Sequence, residues 1–379
     1  MDEHARYEKK WHILNRLVCP WVVSRFHMDA EPIRAEGPIL LICNHVTAWD
    51  PLLTAAALGC DKQAYYVASE HIFRKGLASR ALQWLLAPIP RRKGASSLET
   101  VKLCLRHLHA GHSVCLFAEG EQTWDGRSIP VVKGTGSLAR ACGATLVTYR
   151  LEGGYLSLPR WGRGLRRGRM RGRVVGVYPP DTLKSMRPDA VNELIDRDIR
   201  EDAWERQREE PAAFRGRRPA ERLEQLLYLC PGCRRIGTLH SSRDRLRCGC
   251  GLSLRYTETG FFEPQTPFPD APAWEDWQRE RLRARDFLRA GQDGALFADE
   301  GVTLSLVGGR RDKTLARGRL ALYEDRLDCA GRSFALAEIT EMAMTRNMLL
   351  FTHGGAYYQL RGGKTVNFRK YLELWKQQH

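Results

Sequence analysis

The chain has no uninterrupted apolar run near the roughly 18 residues that a membrane-spanning helix needs. Its first residues also lack the basic region, apolar run and small-residue cleavage site of a secretory leader. Any membrane contact is therefore expected to be peripheral. No Gly-x-Ser-x-Gly turn occurs, which argues against a serine hydrolase built on that elbow. Internal repeats and low-complexity tails are missing as well. Acids are short overall, 44 Asp and Glu against 60 Lys and Arg for a net charge of +16. They are absent from residues 160–173, where seven arginines are interleaved with glycines. This balance favours an anionic partner, whether acidic lipid, phosphate or nucleic acid. The eleven cysteines do not form the framework of a small secreted domain, because seven (Cys19, Cys43, Cys60, Cys104, Cys115, Cys142, Cys329) lie scattered, most in apolar stretches. A reducing cytosol, and so a cytoplasmic protein, is the expectation.

At 379 residues the chain exceeds one ordinary core. From Pro38 onward, short apolar runs alternate with helical periods, the pattern of an α/β layer. Residues 38–43, 64–68, 113–117, 144–149 and 174–178 are predicted strands. Asp50 and Pro51 are read as N-cap and first residue of a helix through Leu58, stopped by Gly59. Ser96 and Glu99 make a candidate capping box for a helix ending at Gly111. A helical stretch is expected over residues 190–208. Residues 11–28 place Trp11, Leu14, Val18, Trp21 and Val22 near helical spacing, with Arg16, Arg25 and His27 supplying charge. That stripe is either an interfacial face or a face packed on its own domain. Four prolines in residues 261–273 mark a linker, followed by a helix over residues 274–290. Short strands broken by glycines (residues 318–322, 326–329, 349–351 and 357–360) and a helix over residues 366–377 predict a small β-rich end. The expected division is residues 1–222, 223–260, 261–292 and 293–379.

Two predicted strands run into polar turns, and open α/β sheets bind ligands at such carboxyl ends. The first turn is Asn44-His45-Val46-Thr47-Ala48-Trp49-Asp50-Pro51. A histidine after a strand and a carboxylate at a helix start can converge across it. Deprotonating an alcohol calls for a general base titrating near neutrality, and an Asp on the other ring nitrogen fixes the tautomer and steadies the cation. The plainer reading is a capping Asp and a satisfied loop histidine. The second turn is Phe117-Ala118-Glu119-Gly120-Glu121-Gln122-Thr123-Trp124-Asp125-Gly126, followed by Lys133-Gly134-Thr135-Gly136.

Together these segments, over about residues 30–180, resemble the glycerolipid acyltransferases of the 1-acylglycerol-3-phosphate acyltransferase type, whose blocks are Asn-His-x4-Asp, an Arg-containing block, Phe-Pro-Glu-Gly and a later strand. The resemblance implies His45 as base and Asp50 as its orienter, with Asn44, Glu119 and Gly120 among the substrate-binding residues, the last two in the acceptor site. Ile89-Pro90-Arg91-Arg92-Lys93 would be the arginine block; Arg92 is the closer match, Arg91 its neighbour, and a guanidinium fork suits phosphate oxygens. Three departures stand out. Ala118 replaces a proline, the proline of the last block is missing from residues 145–150, and Gln122 stands where the family commonly has Arg. A phosphate contact is therefore missing, or Arg92, Lys133 and the basic residues 160–173 replace it.

Cys230-Pro-Gly-Cys233 and Cys248-Gly-Cys250 bracket a predicted hairpin and supply four thiolates, the donor set of one structural Zn2+. A closed site of four cysteines leaves no position for substrate, so its expected role is folding. The expected architecture is an α/β acyltransferase domain (a mixed sheet flanked by helices), a four-cysteine zinc ribbon and a small β-rich C-terminal domain. The resemblance implies an acyl thioester donor, coenzyme A or acyl-carrier protein, a lipid acceptor, an anionic membrane surface as partner and no redox cofactor. Two other classes compete: a zinc-ribbon nucleic-acid-binding protein, whose basic run has Trp161 as its only stacking ring, and a catalytically silent lipid-binding scaffold.

Overall fold

The computed structural model describes residues 3–69, 84, 88–91, 98–287, 293–308, 312–345 and 348–378. These divide into two compact units, Met1–Arg160 with Gly164–Gly216, and Trp161–Arg163 with Arg217–His379.

The first unit is built on a seven-stranded mixed sheet. Its strands are β1 (Met28–Ala30), β2 (Ile39–Cys43), β3 (Ala64–Ser69), β4 (Ile89–Arg91), β5 (Ser113–Phe117), β6 (Thr145–Glu152) and β7 (Met170–Tyr178), in the order β1-β7-β6-β2-β5-β3-β4. Only β6 and β7 run antiparallel; the other neighbours are parallel. Parallel strands buried on both faces read as continuous apolar runs, and all five residues of β2 are buried. The helices Asp50–Leu58, Leu98–His109 and Pro188–Ile199 pack on this sheet. Register does the rest. Cys43, the last residue of β2, lies opposite both Phe117 of β5 and Tyr149 of β6. The turns that follow β2 and β5 therefore emerge side by side.

Three local expectations change. Strand β7 begins four residues before residue 174, because Arg171 pairs with Glu210 and Arg173 with Asp29, each at 2.6 Å, which settles charged residues into the ladder. The helical stretch over residues 190–208 is two helices, Pro188–Ile199 and Ala203–Glu209. Arg200 is extended, and Asp202 caps the second helix by accepting from the amides of Trp204 and Glu205. At the N-terminal end, helix Glu3–Ile13 continues through a π turn (Leu14–Val18) into helix Cys19–Phe26. Trp11, Leu14 and Val22 are buried in the core, so that part of the stripe belongs to the domain itself. The arm's exposed side is apolar too: Ile13, Leu17 and the stripe's own Trp21 are 49%, 72% and 56% exposed.

The second unit holds two antiparallel sheets. The smaller comprises β8 (Leu239–Ser242), β9 (Arg245–Cys248), β10 (Ser253–Tyr256) and β11 (Phe262–Glu263), in the order β11-β10-β9-β8. The larger comprises β12 (Phe297–Leu306), β13 (Lys313–Leu322), β14 (Arg326–Cys329), β15 (Arg332–Ala335), β16 (Ile339–Thr345), β17 (Met348–His353) and β18 (Ala356–Arg361), in the order β15-β14-β13-β12-β18-β17-β16. Helix Arg369–Gln378 closes the chain. Its buried charges are paired: Arg369 with Glu275 of helix Ala271–Arg283, and Lys370 with Asp299 of β12 at 2.6 Å. Unpaired buried charge would cost several kcal/mol.

Candidate active site at the ends of β2 and β5

His45 leaves β2 in a tight loop that returns at Asp50, the first residue of helix Asp50–Leu58. His45 Nδ1 lies 2.7 Å from Asp50 Oδ2. A carboxylate offers only lone pairs, so Nδ1 carries the proton and Nε2 keeps a free pair. Asp50 does not cap its own helix, which corrects the sequence reading. Its side chain turns back and accepts from the amides of Val46 (2.7 Å) and Thr47 (2.9 Å) and from the Thr47 hydroxyl (2.7 Å). The side chain is fully buried, and these donors satisfy its oxygens there. The His45 ring stacks on Phe117 at 4.7 Å and 26°. Its side chain is 24% exposed while Asp50 is 0%, so the pair presents the ring and hides the charge.

The loop after β5 is stitched to this one. Thr123 N donates to the His45 carbonyl at 3.0 Å, Gln122 Nε2 to the Val46 carbonyl at 2.9 Å, and His45 N to Glu119 Oε1 at 3.0 Å. Glu119 Oε2 takes the amide of Ile129 at 2.9 Å. Burial pushes the Glu119 carboxyl up to about 8 despite those two amide donors, with Asp50 and Asp196 adding to the rise. On the other side, Asn44 replaces one backbone rung. Its Nδ2 donates to the Leu151 carbonyl at 2.9 Å and its Oδ1 accepts from the Leu151 amide at 2.8 Å, which ties the loop to β6.

A histidine poised by a buried carboxylate, with one nitrogen turned to a partly open surface at two strand ends, is equipped to take a proton from a hydroxyl. Comparison with known proteins shows what this part of the chain is similar to. Residues 25–152 match the Acyltransferase family model. The matched segment is about a third of the chain. A curated chloroplastic 1-acyl-sn-glycerol-3-phosphate acyltransferase of Brassica napus, BAT2, is 27% identical over 168 residues, 42% of this chain and 48% of that protein. The chain thus spans about half the length of that relative. Among solved structures, the 1-acyl-sn-glycerophosphate (LPA) acyltransferase PlsC of Thermotoga maritima aligns at a TM-score of 0.42 and 16% identity, covering 52% of this chain and 80% of that one.

The remaining expected residues of the acyltransferase domain fall at different depths. Gly120 has φ +71°, and a Cβ there would come within 3.1 Å of both Arg91 Nη1 and Val132 Cγ2. The turn therefore needs glycine, and the Arg91 guanidinium sits against it. Arg92 lies outside the described residues. Lys133 is exposed, directly after Val132, whose amide bonds the Ala118 carbonyl at 2.9 Å. Gln122, where the family commonly has Arg, is occupied in bracing Val46. The basic run is largely self-engaged. Arg160 holds Glu121 at 2.7 Å and lies over Trp124, Arg166 is buried against the Leu156 carbonyl, and Arg169, Arg171 and Arg173 pair with Glu210 or Asp29. Sequence reasoning missed Thr47 as Asp50's hydroxyl partner; a hydroxyl three residues before a loop carboxylate was the available signal.

In the second unit the four sulfurs of Cys230, Cys233, Cys248 and Cys250 all lie within 4.8 Å of one another. Cys230 to Cys250 is 3.6 Å and Cys233 to Cys248 is 3.7 Å. A tetrahedron of thiolates at about 2.3 Å from zinc has edges of about 3.8 Å, so the donor set and its spacing fit that ion. The hairpin β8–β9 separates the two knuckles.

Proposed function

We propose that this protein transfers a fatty acyl group from an acyl thioester, coenzyme A or acyl-carrier protein, to the hydroxyl of a lysophospholipid or glycerol-phosphate-like acceptor in phospholipid biosynthesis. The observation that carries the reading is the 2.7 Å contact of His45 Nδ1 with the buried Asp50 carboxylate, which leaves Nε2 free at the strand ends. His45 Nε2 accepts the hydroxyl proton as the oxygen attacks the thioester carbonyl. Asp50 stabilises the imidazolium so formed. Collapse of the tetrahedral adduct breaks the carbon–sulfur bond, and the imidazolium returns the proton to the leaving thiolate. No covalent enzyme intermediate is required.

In this reading Arg91, Arg92, Gly120 and Lys133 border the acceptor, with Asn44 and Glu119 fixing the two loops from behind. The arginine beside Gly120 supports an anionic acceptor group, because a guanidinium fork matches a pair of phosphate oxygens. The exposed Ile13, Leu17 and Trp21, flanked by exposed Arg16 and Arg25, support peripheral attachment to an anionic membrane. Trp21 lies 6.0 Å from Trp49, inside the His45 to Asp50 loop, which brings that apolar face next to the chemistry. No helix among the described residues is long and apolar enough to cross a membrane. The four cysteines are proposed to hold one structural Zn2+, which supplies cross-linking of the two knuckles and no open coordination position.

The test is acyl transfer from acyl-coenzyme A and acyl-carrier protein to a panel of lysophospholipids and glycerol phosphates, compared between the wild type and His45→Ala. Transfer that vanishes in a folded variant of unchanged zinc content supports the reading. Equal transfer in both proteins, or none in either, refutes it.

A further inference from the structure

The solvent face of the small sheet has a composition that folding does not explain. Side chains alternate strictly across it: Leu239, Leu246, Cys248, Leu254 and Tyr256 point inward and are buried, whereas His240, Ser242, Arg245, Arg247, Ser253 and Arg255 are exposed. Register gathers the outward set into two cross-strand rows. Arg247 lies between His240 and Ser253, and Arg245 lies between Ser242 and Arg255. The row of Arg245 ends at Glu263, which with Asp244 engages Arg255 at 3.1 and 3.5 Å. Arg245 and Arg247 make no ion pair among the described residues, in contrast to the arginines of residues 160–173, five of which are held by acids or a carbonyl of their own unit. Residues i and i+2 of a strand stand about 7 Å apart on one face. Two free guanidinium groups thus project side by side from a short, flat surface flanked by a histidine and hydroxyls.

We propose that this face is an electrostatic docking surface for an anionic lipid bilayer, with Arg245 and Arg247 as its principal contacts. The choice of a bilayer rests on the acyl-transfer reading, since a lipid acceptor is presented at a membrane. It also rests on the chemistry of the face. Among the described residues the two rows themselves carry no Phe, Tyr or Trp ring for bases to stack on; the half-buried Phe261 lies on this face beyond their end, opposite Thr257, and a single ring is short of the series on which single-strand platforms depend. The two rows present charge, imidazole and hydroxyls rather than apolar side chains, so their attraction is to headgroup charge and falls with salt.

The experiment measures binding of the full zinc-loaded chain to phosphatidylcholine vesicles with and without phosphatidylglycerol, at low and high salt. It compares the wild type with Arg245→Gln/Arg247→Gln and with the charge-keeping Arg245→Lys/Arg247→Lys. Each basic residue near an anionic surface contributes about fivefold to binding, so the glutamine pair is expected to lose about thirtyfold on phosphatidylglycerol vesicles, and the lysine pair only a few-fold. Transfer to a detergent-dispersed acceptor is expected to be unchanged in both. Equal vesicle binding by wild type and glutamine pair, with zinc retained, overturns the proposal while leaving His45-dependent transfer intact. A loss confined to retention on DNA or RNA overturns it in favour of a nucleic-acid face. Intact charge-dependent docking without any His45-dependent transfer would instead refute the acyl-transfer reading.

Discussion

Replacing Asp50 by Asn isolates the charge in the His45–Asp50 pair from its geometry. The amide can sit in only one orientation. With its oxygen at the Oδ2 position it still accepts from His45 Nδ1 and the Val46 amide, both at 2.7 Å, and from the Thr47 amide at 2.9 Å, while its nitrogen takes the Oδ1 position and donates to the Thr47 hydroxyl, giving up the second Thr47 amide contact at 3.0 Å. Flipped, it would drive an N–H into the donors at Val46 and His45. The tautomer and ring position therefore survive, and what is lost is the negative charge beside the developing imidazolium. At a charge separation of about 4 Å and an effective dielectric of about 20, that charge is worth about 4 kcal/mol. The expected result is a fall in kcat of about a thousandfold with little change in KM. A thiol-trapping assay of donor turnover at saturating acceptor measures it, with circular dichroism and zinc content as controls. A folded Asp50→Asn protein within tenfold of the wild-type kcat would refute the argument that Asp50 acts through its charge.

Glu119 predicts a pH dependence of stability. Its carboxyl is raised by burial from 4.5 to about 8, so the folded state binds more protons than the unfolded one across that window, and stability falls as pH climbs through it. The slope is at most about 1.4 kcal/mol per pH unit, and Glu119→Gln should flatten it in denaturant titrations; an identical slope in the variant would exclude Glu119 as its source. Gly120→Ala should lower stability by about 1–2 kcal/mol, because the turn holds φ +71° and the methyl would press on Arg91 and Val132; an unchanged thermal midpoint would show that the turn relaxes freely. Cys248→Ser, or a strong chelator, should reduce bound zinc from one ion per chain and lower the midpoint of the cooperative transition. Unchanged zinc content in the variant would remove Cys248 from the ligand set.

Periodicity carried the sheet of the first unit well, because β2 is a continuous apolar run and β5 is a short one between a glycine stop and a polar turn. Strand ends were less legible. Met170 to Arg173 look like a basic loop until Glu210 and Asp29, both distant in sequence, are seen to neutralise them. The break at residues 200–202 was hidden because the cap at Asp202 interrupts a run whose composition stays helical. At the site, motif spacing pointed to His45 and Asp50, but it could not show that Glu119 faces inward onto two amides, or that Gln122 spends its side chain on the Val46 carbonyl. Those are long-range hydrogen bonds, and no local pattern encodes them. The N-terminal stripe left two alternatives open, and burial divides it between them: Trp11, Leu14 and Val22 pack inside, while Trp21 stays exposed beside Ile13 and Leu17.

The π turn at Leu14–Val18 decides which side of that helical arm looks outward. Cys19 N bonds the Leu14 carbonyl, one residue further back than an α turn would reach, just before Pro20, which has no amide to offer. Such a turn behaves as a single-residue insertion absorbed in place, and it sets the angular phase between helix Glu3–Ile13 and helix Cys19–Phe26. Deleting one residue there would turn one helix about 100° against the other. Tyr7 and Trp11 could then stay in the core only if Trp21 left the line of Ile13 and Leu17. One backbone irregularity thus works as the phase key that lets a single arm serve an interior and a surface at once.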